Sequence, residues 1–407
     1  MKGDRVRIKD LAEELGLSTA TVSNVLHGKT GKISGETVRR VQELVERRQY
    51  VPNMAGILLA QNSSKIVGIV INDHEKYEGC VLEDPFVASA LNALSRELEE
   101  AGFFMMIRVT ANWNEIVRIA SMWNMEGLVL IGFCEQDYRK LRESMHIPFV
   151  VYDGYFQEAE RICNLVIDDY DGGYQVGTYL KRMGHRRILC LADNYDCMDR
   201  DRVEGCRAAV ENTQTEGVGL EKRWKWGGAK GKEPVKEQAE QGEPEGEGVD
   251  FLRLPMAREL RLNFYRDKFA RIMAHTAVFA VSDFYAVEMI HFLQGQGIRV
   301  PEDISVVGFD DSPWYKMVFP ALTTVKQDPA RRARLAVEIL QDMKRGDYSR
   351  ETVKLPVWLI ERDSVRNIME AGGGQAGEDS GGAGALGGEK RKWREGIETG
   401  DKKDGTE

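Results

Sequence analysis

Between Ile8 and Val45, apolar residues recur at intervals of three and four. Ile8, Leu11, Ala12 and Leu15 form one stripe that stops at Gly16. Val22, Val25 and Leu26 form a second, and Val38, Val41, Leu44 and Val45 a third. That spacing gives a helix one buried face, so the pattern predicts three short helices over residues 7–48. Ser18 and Ser34 stand just before the second and third stripes, where a side-chain oxygen can cap the free amides of a first turn. Glu36 lies near the positive end of the third. Pro52 breaks the chain, a short segment from Asn53 to Ala60 follows, and Gln61-Asn62-Ser63-Ser64 reads as a linker.

From Lys65 onward the pattern changes. Near-continuous apolar runs at 66–71, 103–109, 127–133, 148–152, 164–168, 187–192, 277–281 and 304–309 read as strands, with a further candidate at 250–254. Helical stretches lie between them at 86–101, 171–183, 200–211, 256–274, 283–296 and 329–345. Strands that are apolar on both faces belong in a parallel sheet covered on both sides. The number of strands suits two such sheets better than one. The predicted class is α/β: a three-helix head joined to a two-lobed core of doubly wound parallel sheets.

Composition adds the boundaries. The chain has 407 residues and 41 glycines, of which 8 fall in residues 216–248 and 12 in 371–407. Residues 214–248 are rich in Gly, Glu and Lys without periodicity, and the last forty are similar, so both segments are predicted to be disordered. The domain expectation is therefore a head at 1–50, a hinge and linker at 51–64, a core at 65–366 interrupted by an insertion at 214–248, and a tail at 367–407.

Charge is unevenly spread. The net charge is −9, yet residues 1–65 carry 11 Lys and Arg against 7 Asp and Glu. A basic head on an acidic body points to a polyanion met by the head alone. No apolar run approaches the ~20 residues of a membrane span, and Met1 to Lys9 is charged, without the apolar core of a signal peptide. The six cysteines are scattered, with no C-x-x-C pair and no histidine cluster nearby. They read as reduced thiols of a cytoplasmic protein, with no zinc site and no other cofactor expected.

The sharpest motif is the run after Gly16, Ser18-Thr19-Ala20-Thr21-Val22-Ser23-Asn24. A helix entering the DNA major groove presents short polar side chains at its N-terminal end. Hydroxyls and free amides there hold phosphate, while one or two side chains reach base edges. Val22, Val25 and Leu26 fall on the opposite face and hold that helix to its neighbours. The same arrangement also fits an interaction bundle that binds no DNA.

At this point the chain resembles the LacI/GalR family of bacterial transcription regulators. The likeness runs from I-K-D-L-A-E-E-L-G-L-S-T-A-T-V-S-N-V-L (Ile8 to Leu26) through I-S-G-E-T-V-R-R-V (Ile33 to Val41) to Y-V-P-N (Tyr50 to Asn53). It resumes in T-A-V-F-A-V-S-D (Thr276 to Asp283), V-P-E-D-I-S-V-V-G-F-D-D (Val300 to Asp311) and P-A-L-T-T-V-K-Q (Pro320 to Gln327), and closes with L-I-E-R-D-S (Leu359 to Ser364). The resemblance implies a helix-turn-helix head, a hinge helix and a core like periplasmic sugar-binding proteins, used as a homodimer on a pseudo-palindromic duplex and responsive to a small-molecule effector. It places Thr19, Ala20 and Asn24 at base-reading positions. Ser18, Thr21, Ser23, Ser34, Thr37, Tyr50 and Asn53 fall at backbone-contacting ones. Thr and Ala can touch a thymine methyl and Asn can pair with adenine. Leu59 falls where the family wedges a leucine into the minor groove. Gly56 stands where the family usually has Ala, and Ile57 where a polar or basic residue is common.

In the core, open α/β sheets bind ligands beyond the carboxyl ends of their strands. Phe86, Asp153, Arg202, Ser282 and Asp310 follow strands and supply the charged partners and the apolar face that a polyhydroxyl effector needs. The family places effector contacts there. Ser282 departs from sugar-binding members, which often have Asn. Asp153 and Asp310 can equally cap turns, and Phe279 sits inside a strand and reads as core.

Enzyme signatures fail. Gly295 to Val300, G-Q-G-I-R-V, lacks the third glycine of a dinucleotide fingerprint and follows a helix, and no P-loop, G-x-S-x-G or H-E-x-x-H occurs. Asp168-Asp169 precede a helix and can cap it. The leading expectation is a ligand-responsive DNA-binding regulator, repression being the family's usual mode. The alternatives are a solute receptor sharing the core fold, which would need a secretory signal and no head, and a doubly wound enzyme, which would need a catalytic constellation at the strand ends.

Overall fold

The computed structural model describes residues 6–51, 63–133, 147–154, 162–211, 247–313, 317–349 and 352–369. The predicted hinge, with Asn53, Gly56 and Leu59, lies outside the described residues, as do most of the insertion and nearly all of the tail.

The head forms the three expected helices, α1 (Ile8–Leu15), α2 (Thr19–Leu26) and α3 (Gly35–Arg47). Gly16 ends α1 in the left-handed conformation, at φ +67°, which a residue without Cβ adopts at no steric cost. The next residues turn at once to Ser18, the cap of α2. Leu11, Ala12, Val22, Val25, Val41 and Leu44 are buried together, with Leu26, Val38 and Val45 packed around them. The stripes read from the sequence thus meet one another. Arg47 and Arg48 of α3 close the bundle onto Glu14 of α1, at 2.9 and 2.6 Å. The carboxyl is held below its ordinary range, first by the hydrogen bond from Arg48.

The core has two lobes. Lobe 1 begins with β1 (Ile66–Ile71), α4 (Pro85–Glu100), β2 (Phe104–Val109), α5 (Trp113–Met122), β3 (Gly127–Ile131), β4 (Phe149–Tyr152) and β5 (Ile162–Ile167). Lobe 2 follows with α6 (Asp169–Arg182), β6 (Arg187–Ala192), α7 (Cys197–Val210), β7 (Gly248–Arg253), α8 (Arg258–Asp267), α9 (Phe269–Met273), β8 (Ala277–Ala280), α10 (Asp283–Gly295), β9 (Ser305–Val307) and β10 (Thr324–Lys326). The chain then returns to lobe 1 as α11 (Pro329–Lys344) and β11 (Thr352–Leu355), and ends in lobe 2 with β12 (Trp358–Ile360). Lobe 1 is a six-stranded sheet in the order β11-β5-β4-β3-β1-β2, and lobe 2 a four-stranded sheet in the order β7-β6-β8-β9. Both are parallel throughout. A small antiparallel pair joins β10 to β12.

Parallel pairing explains the apolar runs. Ile69, Val129, Val150, Leu189 and Phe279 are all fully buried, because helices cover both faces of each sheet. The chain crosses between lobes three times, after β5, β10 and β11. Two of the crossings begin a helix capped by the crossing aspartate. Asp168 accepts from the Asp171 amide, and Asp328, followed by Pro329, from the Arg331 amide. The sequence reading of Asp168 as a cap agrees with this. Asp169 has a different place, described below.

Glycines set the closest helix pair. On α6, a Cβ at Gly173 would lie 1.9 Å from the Arg202 carbonyl oxygen, and one at Gly177 2.5 Å from that of Cys206. On α7, a Cβ at Gly205 would lie 2.1 Å from the Tyr170 carbonyl oxygen. The two backbones therefore touch, and Arg202 is carried to the first turn of α6.

Candidate functional site

The head presents one polar end. Ser18 Oγ accepts from the Thr21 amide at 3.1 Å and lies 2.9 Å from Thr21 Oγ1. Ser34 repeats the arrangement with the Thr37 amide at 3.3 Å and Thr37 Oγ1 at 2.9 Å. Both helices therefore begin with a capping hydroxyl and positively polarised amides, the surface a phosphate seeks. Ser18, Thr19, Ala20, Asn24 and Ser34 are exposed, while Thr21, Ser23, Thr37 and Tyr50 are half-buried. Tyr50 packs on the head core, and its amide donates to Val45 O. Thr19, Ala20 and Asn24, one turn apart on α2, point away from buried Val22 and Val25, so they are free to touch a partner.

In the core, turns after two strands hold the site aspartates. Asp153 follows β4 with φ +57°, and Asp310 and Asp311 follow β9 with φ +126° and +53°. Non-glycine residues seldom take such values, and they collect where a side chain must be aimed. In lobe 2, Arg202 lies beside Asp310 and reaches the backbone just before Ser282. Arg202 Nη1 donates to the carbonyl of Val281, next to Ser282, at 2.6 Å and lies 4.0 Å from Asp310 Oδ1, while its guanidinium stacks 3.8 Å from the centroid of Phe309. Asp310 also accepts from Gln327 Nε2 at 2.7 Å. Ser282 is the cap residue of α10, although its side chain makes no cap bond.

Asp153 belongs to a separate group in lobe 1. It accepts from Arg332 Nη2 at 2.6 Å, and that same nitrogen donates to the Leu165 carbonyl at 2.7 Å. The Arg332 guanidinium lies 4.2 Å from the Tyr152 ring centroid. Phe86 sits in the first turn of α4, half-buried against the main core.

Several polar residues packed around these groups escape a reading of the sequence. Asp169, buried at the start of α6, accepts from Arg202 Nε at 2.8 Å. Asp283, buried at the start of α10, accepts from Thr324 Oγ1 at 2.5 Å and from the Ser312 amide at 2.7 Å. Asp193, directly after β6, accepts from the Tyr285 hydroxyl at 2.9 Å, and Asn194 Nδ2 links it to Asp199 with two bonds of 2.7 Å. The strand-end rule that selects Asp153 and Asp310 applies equally to Asp193, so a signal is present. Nothing in the sequence pairs Arg332 with Asp153, 179 positions earlier.

Burial governs the acids here. It raises Asp169 and Asp283 to about 7 and Asp199 to about 6, with the Arg202 charge opposing it at Asp169 and Asp199. Hydrogen bonds from Thr324 and Ser312 oppose it at Asp283. Burial also drives Asp310 well above the usual carboxyl range, again against Arg202. These carboxyls, with Arg202 and Gln327 beside them, set acceptors and donors side by side, the pairing that hydroxyl and amide groups seek. Among the described residues no group of three or more His, Cys, Asp or Glu is placed to hold a metal ion, and no helix is long and apolar enough to cross a membrane.

Three family models match the chain in sequence. Residues 7–53 match the bacterial regulatory proteins of the lacI family. Residues 67–225 match the periplasmic binding proteins and sugar binding domain of the LacI family, and residues 178–365 a periplasmic binding protein-like domain. The HTH-type transcriptional repressor PurR of Mannheimia succiniciproducens is 27% identical over 370 residues, covering 89% of this chain and 99% of that one. The PurR repressor of Haemophilus influenzae is 28% identical over 377 residues with the same coverage. Among solved structures, the Lac repressor dimer bound to operator and the anti-inducer ONPF superposes with a TM-score of 0.70 at 20% identity, covering 89% of this chain and all of that one. The complex of the regulator CelR with cellobiose gives 0.58 at 22% identity, covering 88% and 100%.

Proposed function

We propose that this chain, which carries the head and the core of the lacI family of bacterial regulatory proteins, is a DNA-binding transcriptional repressor whose operator affinity is set by a small polar metabolite held between the core lobes. The observation that carries this reading is the joining, in one chain, of a polar helix end at Ser18–Asn24 to an α/β core of two parallel sheets in which Arg202 lies beside Asp310 near the strand ends. Thr19, Ala20 and Asn24 read bases, and Ser18, Thr21, Ser23, Ser34, Thr37, Tyr50 and Asn53 fix the head on phosphates. Leu59, outside the described residues, is the minor-groove wedge.

The effector class is a sugar or related metabolite. Stacked guanidinium, buried carboxyls and amide side chains recognise hydroxyls by direction as well as charge. Arg202 and Asp310 act together in this reading, and Asp153 acts through Arg332. Phe86 and Ser282 border the space. Closure of the lobes can alter DNA affinity only if the ligand prefers one arrangement. A thermal-shift screen of sugars, sugar acids and nucleobases, followed by DNA titration at fixed salt with each hit, tests the proposal. A ligand that raises the melting temperature and shifts DNA affinity supports it. A ligand that stabilises the core while leaving DNA affinity unchanged would make the core a receptor without a regulatory role.

A further inference from the structure

The loop of residues 72–84, between β1 and α4, belongs to neither sheet, yet it reaches from lobe 1 to lobe 2. Its base is fixed in lobe 1. Asp84 Oδ1 caps α4 through the Val87 amide at 3.0 Å, and Val81 is buried in the core. Two short 3-10 turns, Glu75–Tyr77 and Val81–Glu83, shape the rest. His74 Nδ1 accepts from the Lys76 amide at 3.3 Å.

The tip meets lobe 2 at Glu78. Glu78 Oε1 accepts from the backbone amide of Arg258, the first residue of α8, at 2.8 Å. The first amides of a helix have no partner within it, and Ala257, the cap residue of α8, has no side chain that can supply one. A carboxylate from lobe 1 therefore completes a helix of lobe 2, at the end where the helix dipole favours negative charge. In the same loop, the Lys76 ammonium lies 4.9 Å from the Tyr77 ring centroid. Burial would lower its proton affinity, but the neighbouring Tyr77 and the carboxylates of Asp193, Asp199 and Asp84 raise it above the usual lysine range.

We propose that residues 72–84 form a strap that fastens lobe 1 to lobe 2 through Glu78 on the α8 N-terminus. The strap favours the lobe arrangement in which its contact is made. A ligand that binds this arrangement then meets a larger binding-competent fraction, and its apparent affinity rises in proportion. This consequence rests on the effector reading above; the strap itself does not.

Hydrogen exchange on the full chain, read peptide by peptide with no small molecule added, tests it. In Glu78→Ala, residues 256–262 should exchange roughly fivefold faster or more. Peptides from β1 and β6 should keep wild-type rates, which reports that each lobe is intact. A second variant works from the other side. Arg258→Pro removes the donating amide at a helix position that accepts proline, next to Ala257, which is already extended at ψ 133°. It should release residues 74–82 by a similar factor. Unchanged rates at the strap and at its lobe 2 contact in both variants would overturn the proposal. Because no ligand enters the measurement, that result is distinct from a failure to find an effector.

Discussion

Asp169, at the start of α6, and Arg202, in the second turn of α7, form an ion pair of 2.8 Å, and each side chain is at least 94% shielded from solvent. The pair exists because Gly173 and Gly205 let α6 and α7 touch backbone to backbone. Arg202 is therefore a member of the core as well as of the cleft. Losing one partner of a buried pair leaves the other charged and dry, at a cost of about 3–5 kcal/mol. We expect Arg202→Ala to lose about that much stability in urea denaturation. Asp169→Leu combined with Arg202→Met should recover most of it. A loss below about 1 kcal/mol for the single variant would show that the pair is solvated.

The glycine contact gives a second expectation. Gly173→Ala must force α6 and α7 apart, because its Cβ would sit 1.9 Å from a carbonyl oxygen that cannot rotate away. The cost should exceed the ~1–3 kcal/mol of ordinary overpacking. A Cβ at Gly295, the last residue of α10, would meet nothing within 4 Å, so Gly295→Ala should be neutral or stabilising by up to ~1 kcal/mol. Parallel thermal melts of the two variants decide the matter.

A third expectation concerns pH. Burial raises the Asp283 carboxyl to about 7, above its unfolded value of about 4. Between those limits the folded chain keeps a proton that the unfolded chain has released. The contribution of Asp283 to stability is thus complete below about pH 4 and falls away as the pH rises toward 7. Asp283→Asn removes this titration. The stability difference, variant minus wild type, should become more favourable to the variant from about pH 4.5 to about 7.5 in urea melts at matched ionic strength. A difference that is flat across that range would mean Asp283 is ionised throughout.

Much of this is legible in the sequence where one local rule suffices. Gly16 and Ser18 mark the turn into α2, because a left-handed residue and a capping hydroxyl are local requirements. The apolar runs from Ile66 and Arg187 mark central strands, because both their faces are covered. The short strands Thr324–Lys326, Thr352–Leu355 and Trp358–Ile360 carry no such signal. Each has only three or four residues, and its partner is chosen by where the chain crosses between lobes. The same limit hides the ion pairs. Asp169 stands beside a true cap, Asp168, and reads like one until α7 delivers Arg202. Asp153 follows a strand as expected, but its partner Arg332 comes from a helix that returns from the other lobe.

For the head, Asn24→Ala should cost about 1–3 kcal/mol on a specific duplex and relax preference at one base pair in each half-site. Binding to random duplex at the same salt should change little. Equal losses on both duplexes would move Asn24 from base reading to phosphate contact.

The central claim is that this head reads a sequence. Selection of duplexes from a random pool with the full chain, at a fixed salt concentration because phosphate contacts make affinity salt-dependent, tests it most directly. The account predicts enrichment of two half-sites related by a two-fold axis, with enrichment lost when Thr19, Ala20 and Asn24 are replaced together. A pool that retains no preferred sequence while the chain still binds DNA would contradict it.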